Sequence, residues 1–384
     1  MIVKKRISFW IGFVLIGLTA ACVDPISFDT DTVAIFPIVV EGSISDDPGP
    51  YEVRVSKAFD LETQKATRER ARVKRLNISD NVGNSEDLQE IELGVYRTNA
   101  EGIQGVVGRA YTLRVELLDG RVYETIPDTM KVTGSVSKIE HEVVEYTNLN
   151  GVPEYGFDIF FDSQANENKE FRFMWKLVMT YEVSSNPEEH YSPCFRDDCV
   201  DPTNCFCPEP LLCSGFIFND TTRQLEYVGP CECCHCWLEL RNDLPVMSEG
   251  QLTQNGIFTK VKAGRLPITA QTMQYKTHVE VQQYSLSQVA YDFWNSITAQ
   301  KQAISSLFQP LSGKITGNFV QLAGTPTPIE GIFYTASVSR NSIYITADDV
   351  PDVKMIKLSA DSVFSRSSCL DFPGATNRRP TFWK

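Results

Sequence analysis

Short runs of alternating apolar and polar residues recur through the first third of the chain. Residues 51–55 read Tyr-Glu-Val-Arg-Val, and residues 111–117 alternate in the same way. Successive side chains of a β-strand point to opposite faces, so this pattern predicts strands with one buried face. The Asp119–Gly120 pair predicts a two-residue hairpin turn after the second run. We therefore expect an N-terminal Ig- or transthyretin-like β-sandwich over residues 33–132.

Further strand patterns fill the rest of the chain, interrupted by one helical pattern. Apolar residues recur at helical spacing between Leu286 and Phe308, and Pro310 follows them. Ser285 and Gln288 have the spacing of a capping box. These features predict one long amphipathic helix over 285–308. The predicted fold class is mainly β, with this helix inside a larger β-rich domain over 133–384.

The first residues have the pattern of a secretory signal. A basic head at residues 4–6 precedes an apolar run over 7–18 and small residues at 19–21. The apolar run is shorter than the roughly 20 residues that span a membrane. Because Cys22 follows directly, residues 1–21 look like a bacterial lipoprotein signal that leaves Cys22 lipidated. Residues 22–32 would then be an acidic tether. An ordinary cleaved signal or a short uncleaved anchor is the alternative.

The cysteines predict a disulfide-stapled insertion over residues 194–236. Eleven cysteines agree with an oxidising compartment. Apart from Cys22, nine lie in the insertion and one stands near the C-terminus, so full oxidation requires a bridge from the insertion to Cys369. Zinc bound by residues 231–236 is the alternative, although these cysteines are spaced more closely than in most structural zinc sites. The disulfide candidates are Cys194, Cys199, Cys205, Cys207, Cys213, Cys231, Cys233, Cys234, Cys236 and Cys369.

Composition and motifs narrow the classes of function. The formal net charge of −13 disfavours nucleic-acid binding, which depends on Lys and Arg neutralising phosphates. Trp175 and Trp237 are able to stack on a sugar or peptide, but aromatic residues on strands are more often core. We predict no enzyme, no catalytic residue, no cofactor and no resident metal, because no histidine lies in a recognised motif. The histidines are His141, His190, His235 and His278.

Several short segments occur in an order and spacing that resemble one known family. They are VVEGSI at 39–44, PYEVRVS at 50–56, GRAYTL at 108–113, DGRVY at 119–123, VQQYSLS at 281–287, Gly-Asn at 317–318 and RPTFW at 379–383. Together they resemble domain-of-unknown-function family 4249 (DUF4249), whose members are outer-membrane lipoproteins of Bacteroidota. The cysteine-rich insertion departs from the family pattern.

The resemblance implies a place and a class of partner for the chain. Members are often encoded beside a TonB-dependent receptor, and they bring no catalytic residues to carry over. We therefore expect a lipoprotein held in the outer membrane by N-terminal acyl chains and facing outside, with the periplasmic face as the alternative. Its expected function is non-enzymatic: it captures a ligand for a TonB-dependent uptake receptor or is an accessory subunit of that receptor. The ligand is unknown. A structural or adhesive cell-surface module is the alternative.

Overall fold

A computed structural model describes residues 38–57, 69–148, 150–166, 171–193, 205–242, 244–249, 253–254, 256–304, 315–356 and 366–383. The predicted signal, Cys22, the acidic tether, Cys194 and Cys199 lie outside these residues. Within them, no helix is both long enough and apolar enough to cross a membrane.

The described chain is mainly β, as predicted. Its strands are β1 (Ile38–Ser45), β2 (Glu52–Lys57), β3 (Arg75–Asp80), β4 (Ser85–Asp87), β5 (Gln89–Glu92), β6 (Val95–Arg97), β7 (Ala110–Glu116), β8 (Val122–Thr125), β9 (Asp128–Thr129), β10 (Ser135–Thr147), β11 (Pro153–Gln164), β12 (Phe173–Ser184), β13 (Tyr191–Pro193), β14 (Phe206–Pro208), β15 (Phe216–Asn219), β16 (Gln224–Tyr227), β17 (His235–Arg241), β18 (Val246–Met247), β19 (Thr253–Gln254), β20 (Ile257–Pro267), β21 (Lys276–Ser285), β22 (Phe319–Ala323) and β23 (Ile329–Thr346). The described α-helix is α1 (Gln288–Ile304). Short 3₁₀ turns lie at Pro187–Glu189, Leu212–Ser214, Ala347–Asp349, Val353–Met355 and Cys369–Asp371.

One large sheet runs through the molecule in the order β17-β12-β21-β23-β1-β2-β6-β5, with β18 added beside β12. A six-stranded sheet has the order β22-β8-β7-β3-β4, with β9 beside β7. A four-stranded sheet has the order β10-β11-β20-β19. The hairpins β13-β14 and β15-β16 stand apart as two-stranded sheets.

Strand β23 joins the two halves of the large sheet. Its first part pairs in parallel with β1, from Ile38 opposite Ile329 to Ser45 opposite Ala336. Its second part pairs antiparallel with β21, ending with Lys276 opposite Thr346. The sequence pattern suggests two shorter strands here, over 332–338 and 342–346. They form one continuous strand instead, because different neighbours hydrogen-bond its two parts.

The large sheet encloses two apolar cores with the smaller sheets. The first core lies between its β1-β2 end and the six-stranded sheet, and includes Val40, Val53, Leu113 and Phe333. The second lies between its β12-β21 end and the four-stranded sheet. Its members include Phe157, Trp175, Phe258, Val279 and Ile345. Because β23 contributes Phe333 to one core and Ile345 to the other, both cores depend on the register of this strand.

A buried carboxylate ties the six-stranded sheet to β23. The Asp128 carboxylate accepts hydrogen bonds from the Thr335 backbone N–H at 2.7 Å and the Thr335 hydroxyl at 3.2 Å. Burial raises the pKa of Asp128 above its ordinary value. These hydrogen bonds satisfy polar groups that would otherwise be buried without partners.

Helix α1 covers the face of the large sheet opposite the second core. Ala290, Tyr291 and Phe293 are buried against Met174 of β12 and Tyr334 of β23. This second covering layer explains why both faces of β12 are apolar.

The predicted start of this helix is wrong. Ser285 is the last residue of β21. The helix begins at Gln288, and the residue directly before it is Ser287. Its hydroxyl accepts a hydrogen bond from the Ala290 N–H at 3.3 Å. Ser287 thus occupies the N-cap position, with Ala290 three residues later. Residues 305–308 of the predicted helix lie outside the described residues.

The predicted hairpin forms, but its turn is longer than two residues. Leu117 donates its backbone N–H to the Arg121 carbonyl at 2.9 Å, which leaves residues 118–120 as the turn. Gly120 has a φ of 88°, as expected for a glycine at the end of a three-residue loop. The predicted domain boundary at 132/133 stays a prediction. Two strands that precede this boundary in the sequence, β1 and β8, are hydrogen-bonded to strands that follow it, β23 and β22.

The parallel ladder yields a stability prediction at Gly331. This residue has a φ of 93°, and a Cβ there would collide with the Val40 carbonyl oxygen on β1. Gly83 has a similar φ of 98° but nothing within 4 Å of its Cβ position, so it isolates the backbone cost. We expect Gly83→Ala to lower the free energy of unfolding by about 1 kcal/mol. The loss for Gly331→Ala should exceed the loss for Gly83→Ala by at least about 2 kcal/mol. Denaturant unfolding measures both. Equal losses would show that the close approach of β1 and β23 is unimportant.

Candidate functional site

Disulfides organise the cysteine-rich insertion around β17. Cys213 bonds Cys233, and Cys231 bonds Cys234. Cys236, the second residue of β17, bonds Cys369 across a sequence separation of 133 residues. Cys205 and Cys207 are also disulfide-bonded. All four cysteines of the zinc alternative, residues 231–236, are therefore in disulfides, which removes their thiolates as metal ligands.

The C-terminal segment, residues 366–383, wraps around β17 from one face of the large sheet to the other. Cys369 and Phe372 pack with Cys236 on the face that also holds Tyr181. Thr376 then pairs with Trp237 at the outer edge, through backbone hydrogen bonds of 2.8 and 3.1 Å. Beyond the edge, the ring of Trp383 meets that of Trp237 on the opposite face, at 6.4 Å between centroids.

Strand alternation gathers polar and aromatic residues on that opposite face. Glu182 of β12 lies directly across from Trp237 of β17, and Lys276 of β21 lies across from Thr346 of β23. These strands are neighbours in the order β17-β12-β21-β23, so their side chains form a continuous surface.

An open cleft of ≈ 710 Å³ lies at this end of the four strands. This volume falls in the range of small-molecule sites. The C-terminal segment supplies one wall of the cleft and the sheet supplies its floor. The lining residues are Glu182, His235, Trp237, Tyr275, Lys276, Thr346, Arg379 and Trp383.

Two charged groups of the cleft contact neighbouring rings. Each oxygen of the Glu182 carboxylate has its own partner: Oε1 lies 3.0 Å from His235 Nδ1, and Oε2 accepts from Trp383 Nε1 at 3.1 Å. Lys276 Nζ lies 4.7 Å from the centre of the Tyr344 ring and 5.3 Å from that of Trp383. Such cation–π contacts hold an ammonium group beside the aromatic wall.

A buried histidine supports the end of the C-terminal segment. The rings of His278 and Phe382 stack at 4.2 Å, and Tyr344 donates its hydroxyl proton to the Phe382 carbonyl at 2.7 Å. Burial lowers the pKa of His278 below its ordinary value, while the charge of Glu280 acts in the opposite direction. A neutral imidazole thus packs beneath Phe382 and helps to position Trp383.

One indole N–H of the cleft residues lacks an acceptor within the described part of the protein. Trp237 is only 8% exposed, and its Nε1 is buried without a hydrogen-bond partner. An unsatisfied buried donor costs about 1–3 kcal/mol. An acceptor brought close to Trp237 would therefore recover part of that free energy.

Sequence reasoning found some of these residues without placing them together. Trp175 is core, as its strand context indicates, and its Nε1 donates to the Gln283 amide oxygen at 2.8 Å. His141 packs on Phe157, and His190 hydrogen-bonds the Glu209 carbonyl. His235 and His278, by contrast, both belong to the cleft region. Both histidines lie in segments, β17 and β21, where polar and apolar residues alternate along the sequence. That alternation was the available indication that they belong to the polar face of the sheet.

A buried amine lies elsewhere, beneath α1. Lys176 Nζ lies 4.6 Å from the centre of the Tyr284 ring and 5.9 Å from that of Trp294. Burial lowers the pKa of Lys176 to about 8 and raises that of Tyr284 to about 12. Perturbed pKa values are common at functional sites, but here the rings come from β21 and α1 and line no described cleft. We interpret Lys176 as a packing contact between helix and sheet.

These features define a β-rich, disulfide-braced protein with an aromatic cleft that the C-terminal segment helps to line. The profile of the family described as "Domain of unknown function (DUF4249)" matches residues 23–342, which is most of the chain. The chain belongs to this family, as the sequence resemblance indicates. The match ends before the C-terminal segment that walls the cleft. A comparison with curated proteins and one with solved structures each found no match.

The cleft wall yields a prediction about the Cys236–Cys369 bridge. Replacing both cysteines by serine frees the C-terminal segment, so we expect the free energy of unfolding to fall by about 2–4 kcal/mol and the emission of Trp237 and Trp383 to change. The matched control replaces Cys231 and Cys234, whose bridge spans three residues and constrains the unfolded chain much less. Denaturant unfolding followed by tryptophan fluorescence measures both. A larger loss in the control would contradict the proposed role of the long bridge.

Proposed function

We propose that this protein is a surface lipoprotein that captures a ligand for a TonB-dependent receptor. Acyl chains on Cys22 anchor it in the outer membrane, residues 22–32 form the tether, and the body faces outside. The observation that carries the proposal is the cleft of ≈ 710 Å³, with its aromatic wall and fixed charges. The family supplies the expected receptor partner.

The cleft chemistry favours binding over catalysis. General acid–base catalysis requires a group positioned to exchange a proton with substrate. Both oxygens of Glu182 already accept hydrogen bonds, and Lys276 lies over aromatic rings. Groups held in this way orient a ligand and contribute hydrogen bonds or charge. The proposed role is therefore ligand binding, with no catalytic residue and no cofactor assigned to the cleft.

The finer fold assignment belongs to the same proposal. The segment over 33–132 is an Ig- or transthyretin-like sandwich, completed by β22 and the first part of β23. The facing apolar surfaces of β1-β2 and β3-β7 support this assignment. Helix α1 (Gln288–Ile304) is a long amphipathic helix, and its buried contacts with β12 and β23 support this assignment.

Lipid anchoring leads to a localisation prediction. Cys22→Ala removes the thiol that takes the acyl group, so the protein should move from the membrane fraction to the soluble fraction and lose acyl labelling. Thr19→Leu is the matched control, because it brings the signal closer to the usual lipoprotein pattern and should retain labelling. Fractionation with a labelled fatty acid measures both. Membrane attachment of the Cys22→Ala variant would contradict lipid anchoring in favour of an uncleaved apolar anchor.

A second function, a cell-surface interaction module, is favoured by the exposed hairpin β15-β16. The pairing of Phe216 with Tyr227 and of Phe218 with Leu225 places four apolar side chains on one face. Tyr227 is 68% exposed, and nearby Leu212 is 99% exposed. Exposed apolar groups on a braced loop are typical of protein contacts. The contact would be with the receptor barrel.

This second function predicts a loss of partner binding without a loss of folding. Leu212, Leu225 and Tyr227 are replaced together by serine, which should reduce recovery of the receptor at least tenfold in pull-downs from detergent-solubilised membranes. The control replaces Val82, Leu118 and Val353, which are also exposed apolar residues but belong to other loops. Unchanged recovery with the hairpin variant would mean that the insertion only braces the fold.

A further inference from the structure

The cleft carries more positive than negative fixed charge, although the whole chain is acidic. Among the described residues that line it, Lys276 and Arg379 carry basic side chains and Glu182 carries a carboxylate. The formal charge of the whole chain is −13, so the described lining is opposite in sign to the chain as a whole. A concave surface with charge of one sign concentrates ligands of the opposite sign.

Arg379 is available to a ligand. Its side chain is exposed, and it has no ion pair with a carboxylate of the described residues. The guanidinium group presents paired N–H donors that match the two oxygens of a carboxylate. Glu182 does not compete for it, because its oxygens are hydrogen-bonded to His235 and Trp383.

Flat rings line the same cleft as Arg379. Tyr275 is 43% exposed, and its ring centre lies 6.4 Å from that of His235, at an interplanar angle of 49°. Exposed rings of this kind bind the apolar face of another ring by stacking and dispersion. The cleft thus offers a ring surface and a carboxylate receptor within one small volume.

Backbone pairing with a peptide strand is blocked at this place. β17 is the last strand of the large sheet, and an unpaired edge would invite strand addition. Thr376 already occupies the edge at Trp237 through two backbone hydrogen bonds. Recognition here must therefore come from side chains.

We propose that the cleft binds a small ligand in which a carboxylate is attached to a ring, with Arg379 holding the carboxylate and Tyr275 the ring face. This inference rests on the proposed ligand-capture function and names its ligand class. Two sources share this chemistry: an acidic sugar, whose ring has an apolar face, and an aromatic acid. Lys276 adds a second positive charge, and the ring of Trp383 closes the wall behind it.

The test uses matched pairs of probes with the full chain in detergent. Glucuronic acid and glucose form the sugar pair, benzoate and benzyl alcohol form the aromatic pair, and acetate is the acid without a ring. Binding is measured by calorimetry and by shifts in the emission of the cleft tryptophans. We expect at least one ring acid to bind at least tenfold more tightly than its neutral counterpart and than acetate. Tighter binding of glucuronic acid identifies the sugar source, and tighter binding of benzoate the aromatic source.

Neighbouring arginines give the matched variants. Arg379→Gln should weaken binding of the preferred acid at least tenfold, whereas Arg378→Gln removes the same charge outside the lining and should leave it unchanged. Tyr275→Ala should weaken the acid and its neutral counterpart alike, because both use the ring face. Circular dichroism checks that each variant is folded.

Two results would overturn the inference. Equal binding of acids and neutral counterparts, with no effect of Arg379→Gln, would leave ligand capture standing but refute carboxylate recognition. Failure of every probe to bind would also refute the ligand class. Ligand capture for a receptor would then be judged separately, by whether the wild-type lipoprotein co-purifies with a receptor barrel.

Discussion

The fold depends on the pairing of β23 with β1 on one part and with β21 on the other. This strand joins residues near the start of the described chain to residues near its end, and it supplies side chains to both apolar cores. A parallel pair such as β1-β23 requires a long connection, and here nearly the whole chain lies between the two strands. The two apolar cores therefore share one sheet, and the first core, built mainly from residues 40–130, is completed by Phe333 from near the end of the described chain.

The cleft is a consequence of this arrangement at the far edge of the sheet. Four neighbouring strands bring Glu182, Trp237, Lys276 and Thr346 onto one face. The C-terminal segment then covers the edge, held by the Cys236–Cys369 bridge and by its backbone pairing with Trp237. Covering the edge serves two purposes. It protects an otherwise open strand from unwanted pairing, and it brings Arg379 and Trp383 to the site.

The cysteine-rich insertion unites the two proposed activities. Its disulfides present the apolar hairpin β15-β16 to solvent, and its last residues lead directly into β17, whose His235 and Trp237 line the cleft. Cross-links reduce the conformational freedom that binding would otherwise remove, so contact through the insertion costs less ordering entropy. The proposed function, in which one surface holds a ligand and another contacts a receptor, requires this kind of rigid connection.

The sequence by itself determined the β class, the family, the hairpin over 111–125 and the requirement that Cys369 join the insertion. These follow from local rules: side-chain alternation, turn residues and the parity of cysteines. Tertiary structure alone decided that β23 is one strand, that Ser287 caps α1, and that His235, Trp237, Lys276 and Arg379 line one cleft. Strand order and register arise from contacts between segments that are often far apart in the sequence, and local patterns carry no record of which strands become neighbours. For the same reason Trp175 and Trp237 looked alike in sequence, yet one fills a core and the other lines a cleft.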